Sequence, residues 1–404
     1  MKIKINKGIA NGCVLAPPSK SYAHRLLIAA GLSEGNSIVS NVELSNDIKA
    51  TINCLKALNK TIEYNEVNKC VYVSNTNNSL DDVIYMDAHE SGSTFRFLIP
   101  IGLLTGKKIV MSGTERLIER GIGEYEKIFK DINILVEKTK DNITFTGKLK
   151  PGVFSLQGNI SSQFITGLLF ALPLLEKDSL IKLTTSLESQ NYVDITIDVL
   201  KKAGIVIHPT FDGYYIPGNQ KYKPINLSVE GDHSNAAFLD SFNYLNGNVE
   251  LSGLNSNSFQ GDKIYKEYFN KIKEGYPTLD ISNCIDLGPI LFCMASLHNG
   301  AHFIKTSRLK IKESNRIEAV KLELEKFGAS IIELEDEVIV EKKKLHTPIC
   351  ELYGQNDHRV VMSMAVMSSV YGGIISNAEA VKKSFPNFFE VLKQLGLEVE
   401  EIYE

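Results

Sequence analysis

The 404-residue chain carries a formal net charge of -4, with 43% hydrophobic and 23% charged residues. That composition excludes the disordered and fibrous classes, and the slightly acidic balance excludes a global positive field that would bind nucleic acid or acidic membranes without specificity. The length is too great for one ordinary hydrophobic core and implies two or more domains.

Taken in chain order, six helix starts share one pattern, a polar capping cluster followed by an apolar run: PPSKSYAHRLLIAAGL, ESGSTFRFLIPIGLLTG, SSQFITGLLFALPLL, GDHSNAAFLDSFNYLNG, IDLGPILFCMASLHNG and NDHRVVMSMAVMSSVYGG. With Ser21, Ser93, Ser162, Ser234, Leu287 and Asp357 as equivalent points, the intervals are 72, 69, 72, 53 and 70 residues. A short strand-like run follows each helix: SIVSN, KIVMSG, LIKLTT, NVELSG, HFIKT and GIISN. Their polar ends, at Ser40, Ser112, Thr184, Ser252, Lys305 and Ser376, are spaced by 72, 72, 68, 53 and 71 residues. Two independent landmarks thus give one period, the signature of a repeat architecture.

Helices as apolar as LLIAAGL and LFALPLL must be buried around most of their circumference. Where the polar start of such a helix reaches the surface, its free N–H groups and positive dipole end suit phosphate or carboxylate. Six starts could build one large anion site. Pro209, Pro217, Gly218 and Pro224, midway between the third and fourth copies, mark the segment from Ile205 to Pro224 as a candidate domain junction. Three repeats would then form each half, with ligand held between them.

Basic residues crowd these helix starts and the loops after the strands: Lys20, Arg25, Arg96, Arg120, Lys310, Lys312, Arg316, Arg359 and Lys383. In an acidic chain their recurrence at one phase points to a ligand bearing phosphate and carboxylate groups, since Arg forks match such anions and Lys adds a point charge. Lys20 and Ser21 in PPSKS, Gly92 with Ser93 and Thr94 in SGST, and Ser161, Ser162 and Gln163 supply further polar groups, although capping alone accounts for some of them. Asp286 opens the fifth helix, and Lys312, Glu313 and Arg316 fall in the short span RLKIKESNR. A carboxylate ringed by cations stays ionised at neutral pH and can accept a proton from a substrate hydroxyl.

Other chemistries find no pattern. GIG at Gly121 to Gly123 is too short for a dinucleotide fingerprint, and neither GxxxxGK[ST] nor GxSxG occurs. Six scattered cysteines (Cys13, Cys54, Cys70, Cys284, Cys293, Cys350) form no CxxC and read as reduced thiols, and the eight histidines form no HExxH, so no metal is expected. MKIKINKGIANG has no apolar h-region, and no stretch reaches the ~18 apolar residues of a membrane span, which predicts a cytoplasmic protein.

The segments PPSKSYAHR, SGSTFR, ERGIG, SSQF, EGDHSNAAF, QGD, KIKESNR, NDHR and KKSFPNFF, in this order, resemble the signature segments of the 3-phosphoshikimate 1-carboxyvinyltransferases, or EPSP synthases. The resemblance spans nearly the whole chain. It implies a two-domain inside-out α/β barrel of six βαββαβ-type units, three per domain, with the active site in the interdomain cleft. One domain would combine residues 1–14 with 227–404, and the other would hold residues 15–226.

Residue by residue, the resemblance puts Ser21, Ser161, Ser162 and Ser189 on the shikimate phosphate, Arg25 on the shikimate carboxylate and Tyr192 on that side, with Lys20 and Lys312 as further contacts. Gln163 would span both ligands. Phosphoenolpyruvate would meet Lys20, Gly92, Arg120, Arg316, Arg359 and Lys383. Asp286 would take the proton of the attacking 5-hydroxyl, and Glu313, aided by Lys20, would protonate the methylene carbon. The implied reaction is addition to a tetrahedral intermediate and loss of phosphate, on the path to chorismate and aromatic amino acids, by a monomer without cofactor, metal, nucleic acid or membrane partner.

Three positions depart from the usual family pattern: ESGS where NAGT or NSGT is common, ERGIG for ERPIG, and Arg308 for a frequent Asn. A sister transferase acting on a UDP-linked aminosugar typically uses a cysteine in the first half, but none lies between Cys70 and Cys284. A binder of anionic metabolites without catalysis would keep the arginines and could dispense with Asp286 and Glu313.

Overall fold

The computed structural model describes residues 1–75 and 79–403. The chain divides into two compact units, Met1–Pro17 with Gly231–Glu404, and Pro18–Glu230. Each has its own apolar core. The second boundary falls after Glu230 because Asn226–Ser228 pairs with Ser37–Ser40 and so belongs to the Pro18–Glu230 unit. Ile205–Pro224, the expected junction, lies inside that unit. Its prolines and glycines flank a hairpin, His208–Thr210 and Gly213–Ile216, whose second strand pairs antiparallel with Ser179–Leu183.

Six sheets mirror the six copies read from the sequence. In the second repeat, Val83–Asp87 runs parallel to Lys108–Ser112, which pairs antiparallel with Asn142–Thr146, itself paired with Leu135–Lys138. Helix Gly92–Leu103 links the parallel strands, and the short helices Glu115–Glu119 and Gly123–Asp131 lead to the hairpin. The unit therefore reads strand, helix, strand, helix, hairpin, a correction to the expected βαββαβ order: one strand separates the helices because the first helix is a crossover between parallel neighbours.

The same strand order recurs in four other sheets. Two of them borrow a strand from afar. Asn226–Ser228 completes the sheet of the first repeat, and Lys2–Ile5 inserts between Gly373–Ser376 and Val399–Ile402 in the sixth. The fourth repeat has only Asn11–Leu15 paired with Asn248–Ser252. Its second helix, Tyr265–Glu274, runs without a hairpin to Thr278–Asp280, the first strand of the next sheet. That missing hairpin accounts for the short interval of 53 residues.

The six inner helices are Lys20–Leu32, Gly92–Leu103, Ser162–Ala171, His233–Asp240, Gly288–Leu297 and His358–Tyr371. Nine of the ten residues of Gly288–Leu297 are buried. Ser19, Ser91, Ser161, Asp232 and Asp357 cap the other five with side-chain oxygens that accept a first-turn N–H. The strands alternate, as in Ile84 and Met86 inside with Tyr85 outside, so each sheet covers helices with one face. Several strands end in left-handed backbone, at Asn41, Gly253, Lys305 and Asn377, which turns the chain toward the following helix.

Within the Pro18–Glu230 unit, the second and third inner helices pack closely at Gly167. A Cβ there would fall 2.2 Å from the Tyr125 hydroxyl and 2.5 Å from the Arg96 carbonyl oxygen. That hydroxyl lies 2.9 Å from the Arg96 carbonyl and 3.0 Å from the Phe164 carbonyl, tying the helices together. Gly167→Val is therefore expected to cost about 1–3 kcal/mol by overpacking. Urea denaturation would measure it, and an unchanged midpoint would contradict this packing.

Candidate active site

In the Pro18–Glu230 unit, Lys20, Ser21, Arg25, Gly92, Ser161, Ser162 and Gln163 lie at the starts of three inner helices, Arg120 lies in a loop, and Ser189 and Tyr192 lie at the start of helix Gln190–Lys202. Arg25, one turn into the first, is buried and fixed on several sides. Its Nε donates to Thr196 Oγ1 (2.8 Å), Nη1 to the Ser21 carbonyl (2.8 Å) and Nη2 to the Tyr192 carbonyl (3.1 Å), and the guanidinium lies 5.0 Å from the Phe97 ring centre. Burial lowers its pKa to about 10, still a full positive charge at neutral pH. An arginine with three of its five donors engaged keeps a planar pair for a carboxylate. His24, beside it, is pushed well below the usual imidazole range by burial, then by Lys20 and Arg25, so it stays neutral and accepts or shares the Thr51 hydroxyl at 2.7 Å.

Lys20 reaches Asp47 Oδ2 at 2.8 Å. Gln163 is held at both ends of its amide: Arg96 Nη1 donates to Oε1 (2.6 Å), and Nε2 donates to Ser93 Oγ (3.1 Å). Arg96 Nη2 donates to the carbonyls of Arg120 and Gly121, so it links the Gln163 helix to the loop that carries Arg120. The Arg120 guanidinium lies over Gly92, where a Cβ would stand 3.0 Å from Nη2. Glycine here admits a cation to the start of the second inner helix. Ser189 precedes helix Gln190–Lys202 with φ 57°, a left-handed conformation that costs a non-glycine residue roughly 1 kcal/mol and clusters at functional positions.

In the other unit, Asp286 is the centre of a charge network. Its carboxylate meets Arg316 Nη1 at 2.8 Å, Lys312 Nζ at 3.1 Å and Arg359 Nη2 at 3.1 Å. Burial would raise its pKa, but Arg359, Lys312 and Arg316 outweigh burial and hold it well below the carboxylate range. Arg316, almost wholly buried, also donates to Glu313 (2.7 Å) and Asp357 (2.8 Å). Burial opposes its charge, yet Asp357, Glu313 and Asp286 together raise its pKa. Lys312 moves the other way, lowered chiefly by burial against the pull of Asp286.

The remaining expected residues border this network. Lys383 Nζ donates to the Asn356 carbonyl at 2.6 Å, beside the cap of the sixth inner helix. Arg359 Nη1 donates to Ser234 Oγ at 2.6 Å. Lys310 instead turns to Glu333 at 2.8 Å, and Arg308 donates to the Ser282 carbonyl. Sequence reasoning missed Asp47, Arg96 as the clamp on Gln163, Asp357 as a partner of Arg316, and Asp262. The last sits in the QGD segment, buried, where burial first and Asp286 second push its carboxyl up to about 7 against Arg359 and the Ser234 hydroxyl. Among the described residues no group of three or more His, Cys, Asp or Glu is placed to hold a metal ion, and no helix is long and apolar enough to cross a membrane.

This arrangement holds one strongly acidic carboxylate and a second acid on a common arginine, in a field of cations. Because the folded pKa of Asp286 lies below its unfolded value of ~3.9, its ion pairs stabilise the protein above that pH and are lost as pH falls. Asp286→Asn should lower the melting temperature at pH 7, and the gap from wild type should begin to narrow as pH falls below ~3.9. A gap that stays constant over that range would show that the ion pairs do not set it.

Comparison with known proteins agrees with the motif reading. The EPSP synthase (3-phosphoshikimate 1-carboxyvinyltransferase) family matches residues 6–392. A 3-phosphoshikimate 1-carboxyvinyltransferase of Clostridium acetobutylicum is 41% identical over 422 aligned positions, covering 99% of this chain and 98% of that protein. One from Clostridium kluyveri is 40% identical with the same coverage. Among solved structures, an EPSP synthase of Acinetobacter baumannii shares the fold with a TM-score of 0.80 at 20% identity, covering 99% of this chain and 100% of that one.

Proposed function

The chain belongs to the EPSP synthase family, and we propose how its residues divide the work of that family's reaction. The enzyme transfers the carboxyvinyl group of phosphoenolpyruvate to the 5-hydroxyl of shikimate-3-phosphate and releases phosphate. The observation that carries the assignment of roles is the Asp286 carboxylate gripped by Lys312, Arg316 and Arg359 with Glu313 on the same arginine.

Shikimate-3-phosphate takes its phosphate contacts from Ser21, Ser161, Ser162 and Ser189, and its carboxylate lies on the fork of Arg25 beside Tyr192. Gln163, fixed by Arg96 and Ser93, contacts both substrates. Phosphoenolpyruvate takes Lys20, Gly92, Arg120, Arg316, Arg359 and Lys383. Fixed cations of this kind stabilise the charge that develops during addition without reorganising.

Asp286 as it stands is too acidic to be a strong base, since three cations hold it ionised. When phosphoenolpyruvate draws Arg316 and Arg359 to its own phosphate and carboxylate, the hold on Asp286 loosens and its proton affinity rises toward that of a working base. It then takes the proton of the 5-hydroxyl as that oxygen bonds to carbon 2. Glu313, which takes up a proton from solvent once Arg316 turns to phosphoenolpyruvate, gives it to the methylene carbon, and the tetrahedral adduct forms. In the second step the bond from carbon 2 to the phosphate oxygen breaks, phosphate leaves with the proton that Asp286 had taken, and the methyl group returns one proton to Glu313 to restore the double bond. We place the protein in the cytoplasm as a monomer. In each unit the repeats would close around their inner helices as an inside-out α/β barrel, a reading supported by the recurring sheets and the burial of those helices.

Two measurements test this. Purified protein should release phosphate only when phosphoenolpyruvate and shikimate-3-phosphate are both present, and release from phosphoenolpyruvate alone would count against the transfer. Asp286→Asn should lower kcat by a factor on the order of 10^2–10^4 while changing substrate affinity far less. Unimpaired turnover would remove Asp286 from the role of base.

A further inference from the structure

The QGD segment, Gln260-Gly261-Asp262, is absorbed by none of the roles above. Gln260 has a structural explanation: its side chain accepts from the His233 N–H at 3.0 Å and donates to the Gly231 carbonyl at 2.8 Å, so it shapes the loop before the fourth inner helix. Asp262 has none of that kind. It sits in the turn Gly261–Ile264 with 4% of its surface exposed, and its Oδ1 has no hydrogen-bond partner among the described residues. A buried carboxyl so poorly satisfied is costly unless it carries a proton or serves a ligand.

Its surroundings say what it could serve. The Ser234 hydroxyl of the fourth inner helix faces the carboxyl, and the same oxygen accepts Arg359 Nη1 at 2.6 Å. Arg359 Nη2 continues to Asp286 at 3.1 Å. Asp286, Arg359, Asp232 and the buried Cys284 are the other titratable or charged groups that act on Asp262. On the neighbouring helix Tyr265–Glu274, Tyr265 and Lys266 turn to Asp240 instead. A chain thus runs from Asp262 through Ser234 to Arg359 and on to Asp286.

We propose that Asp262 is a positioning residue for phosphoenolpyruvate: in its protonated form it holds the Ser234 hydroxyl, and through it Arg359, in place for the incoming anion, and in its ionised form it draws that charge back through Ser234. The inference rests on the assignment of Arg359 to phosphoenolpyruvate. Its logic is linkage. A negative charge placed on Arg359 raises the affinity of Asp262 for its proton, so the proton must equally raise the affinity for the anion. The carboxyl titrates near 7, within the range where such coupling is felt. The Ser234 hydroxyl favours the ionised form, and its removal should move the transition to higher pH.

The test is the pH profile of kcat/KM for phosphoenolpyruvate, at saturating shikimate-3-phosphate, for wild type, Asp262→Asn, Asp262→Ala and Ser234→Ala. The ionisation of phosphoenolpyruvate itself is common to all four and cancels in the comparison. Wild type should lose about tenfold in kcat/KM through an inflection near 7 that Asp262→Asn lacks. Asp262→Ala should raise KM about tenfold with a smaller effect on kcat, and the asparagine, which matches the shape of the neutral carboxyl, should restore most of that affinity. As a readout independent of turnover, Asp262→Asn should melt above wild type at pH 8, with the difference shrinking toward pH 5, because a raised folded pKa withdraws stability as pH rises.

An asparagine variant that keeps the wild-type inflection would overturn the proposal. If neither Asp262 variant folds, Ser234→Ala decides, and an inflection that keeps both its wild-type position and its full amplitude would overturn it. Absence of any phosphate release by the wild-type protein would instead sink the reading on which the proposal rests.

Discussion

The buried guanidinium of Arg316 is the interaction on which the rest of the acidic network depends. It touches Asp286, Glu313 and Asp357 at once, within 2.8 Å of each. Asp286 could not stay ionised at that depth alone, because desolvation costs several kcal/mol per charge unless geometry returns it. Asp357 is at the same time the cap of the sixth inner helix, accepting the Arg359 N–H at 2.9 Å. One arginine therefore sets the helix start, the second cation and both acids in fixed relation, an arrangement that trades stability for preorganised charge.

Much of this was legible in the chain. The six inner helices and their following strands could be found because capping residues and apolar runs are local signals. The cations at the helix starts were legible for the same reason. What was hidden is pairing across distance: Lys20 with Asp47, Arg96 with Gln163, and Asp262 with Ser234 are separated by 27, 67 and 28 positions and follow no periodicity. The segment Ile205 to Pro224 misled for a different reason. Proline and glycine punctuate a hairpin as readily as a linker, and only the pairing of Gly213–Ile216 with Ser179–Leu183 tells them apart. The order of strands within a unit came from resemblance alone, and the crossover between parallel neighbours corrects it.

The fourth repeat shows how far the pattern bends. Its two-stranded sheet keeps the parallel pair that cradles the inner helix and drops the hairpin. The segment between its second strand and its second helix carries Gln260 and Asp262 beside the helix that holds Ser234. The repeat that is smallest in structure is thus the one that contributes a buried carboxyl with one unpartnered oxygen to the charge network.

The strand Lys2–Ile5, framed by Gly373–Ser376 and Val399–Ile402, has a consequence for biogenesis. As a ribosome makes the chain, the unit Pro18–Glu230 has every one of its strands once residue 230 has emerged, whereas Lys2–Ile5 gains both of its neighbours only when residue 402 has been made. The strand Lys2–Ile5 therefore docks late, and the unit bearing Asp286 and Arg316 is completed after the unit Pro18–Glu230.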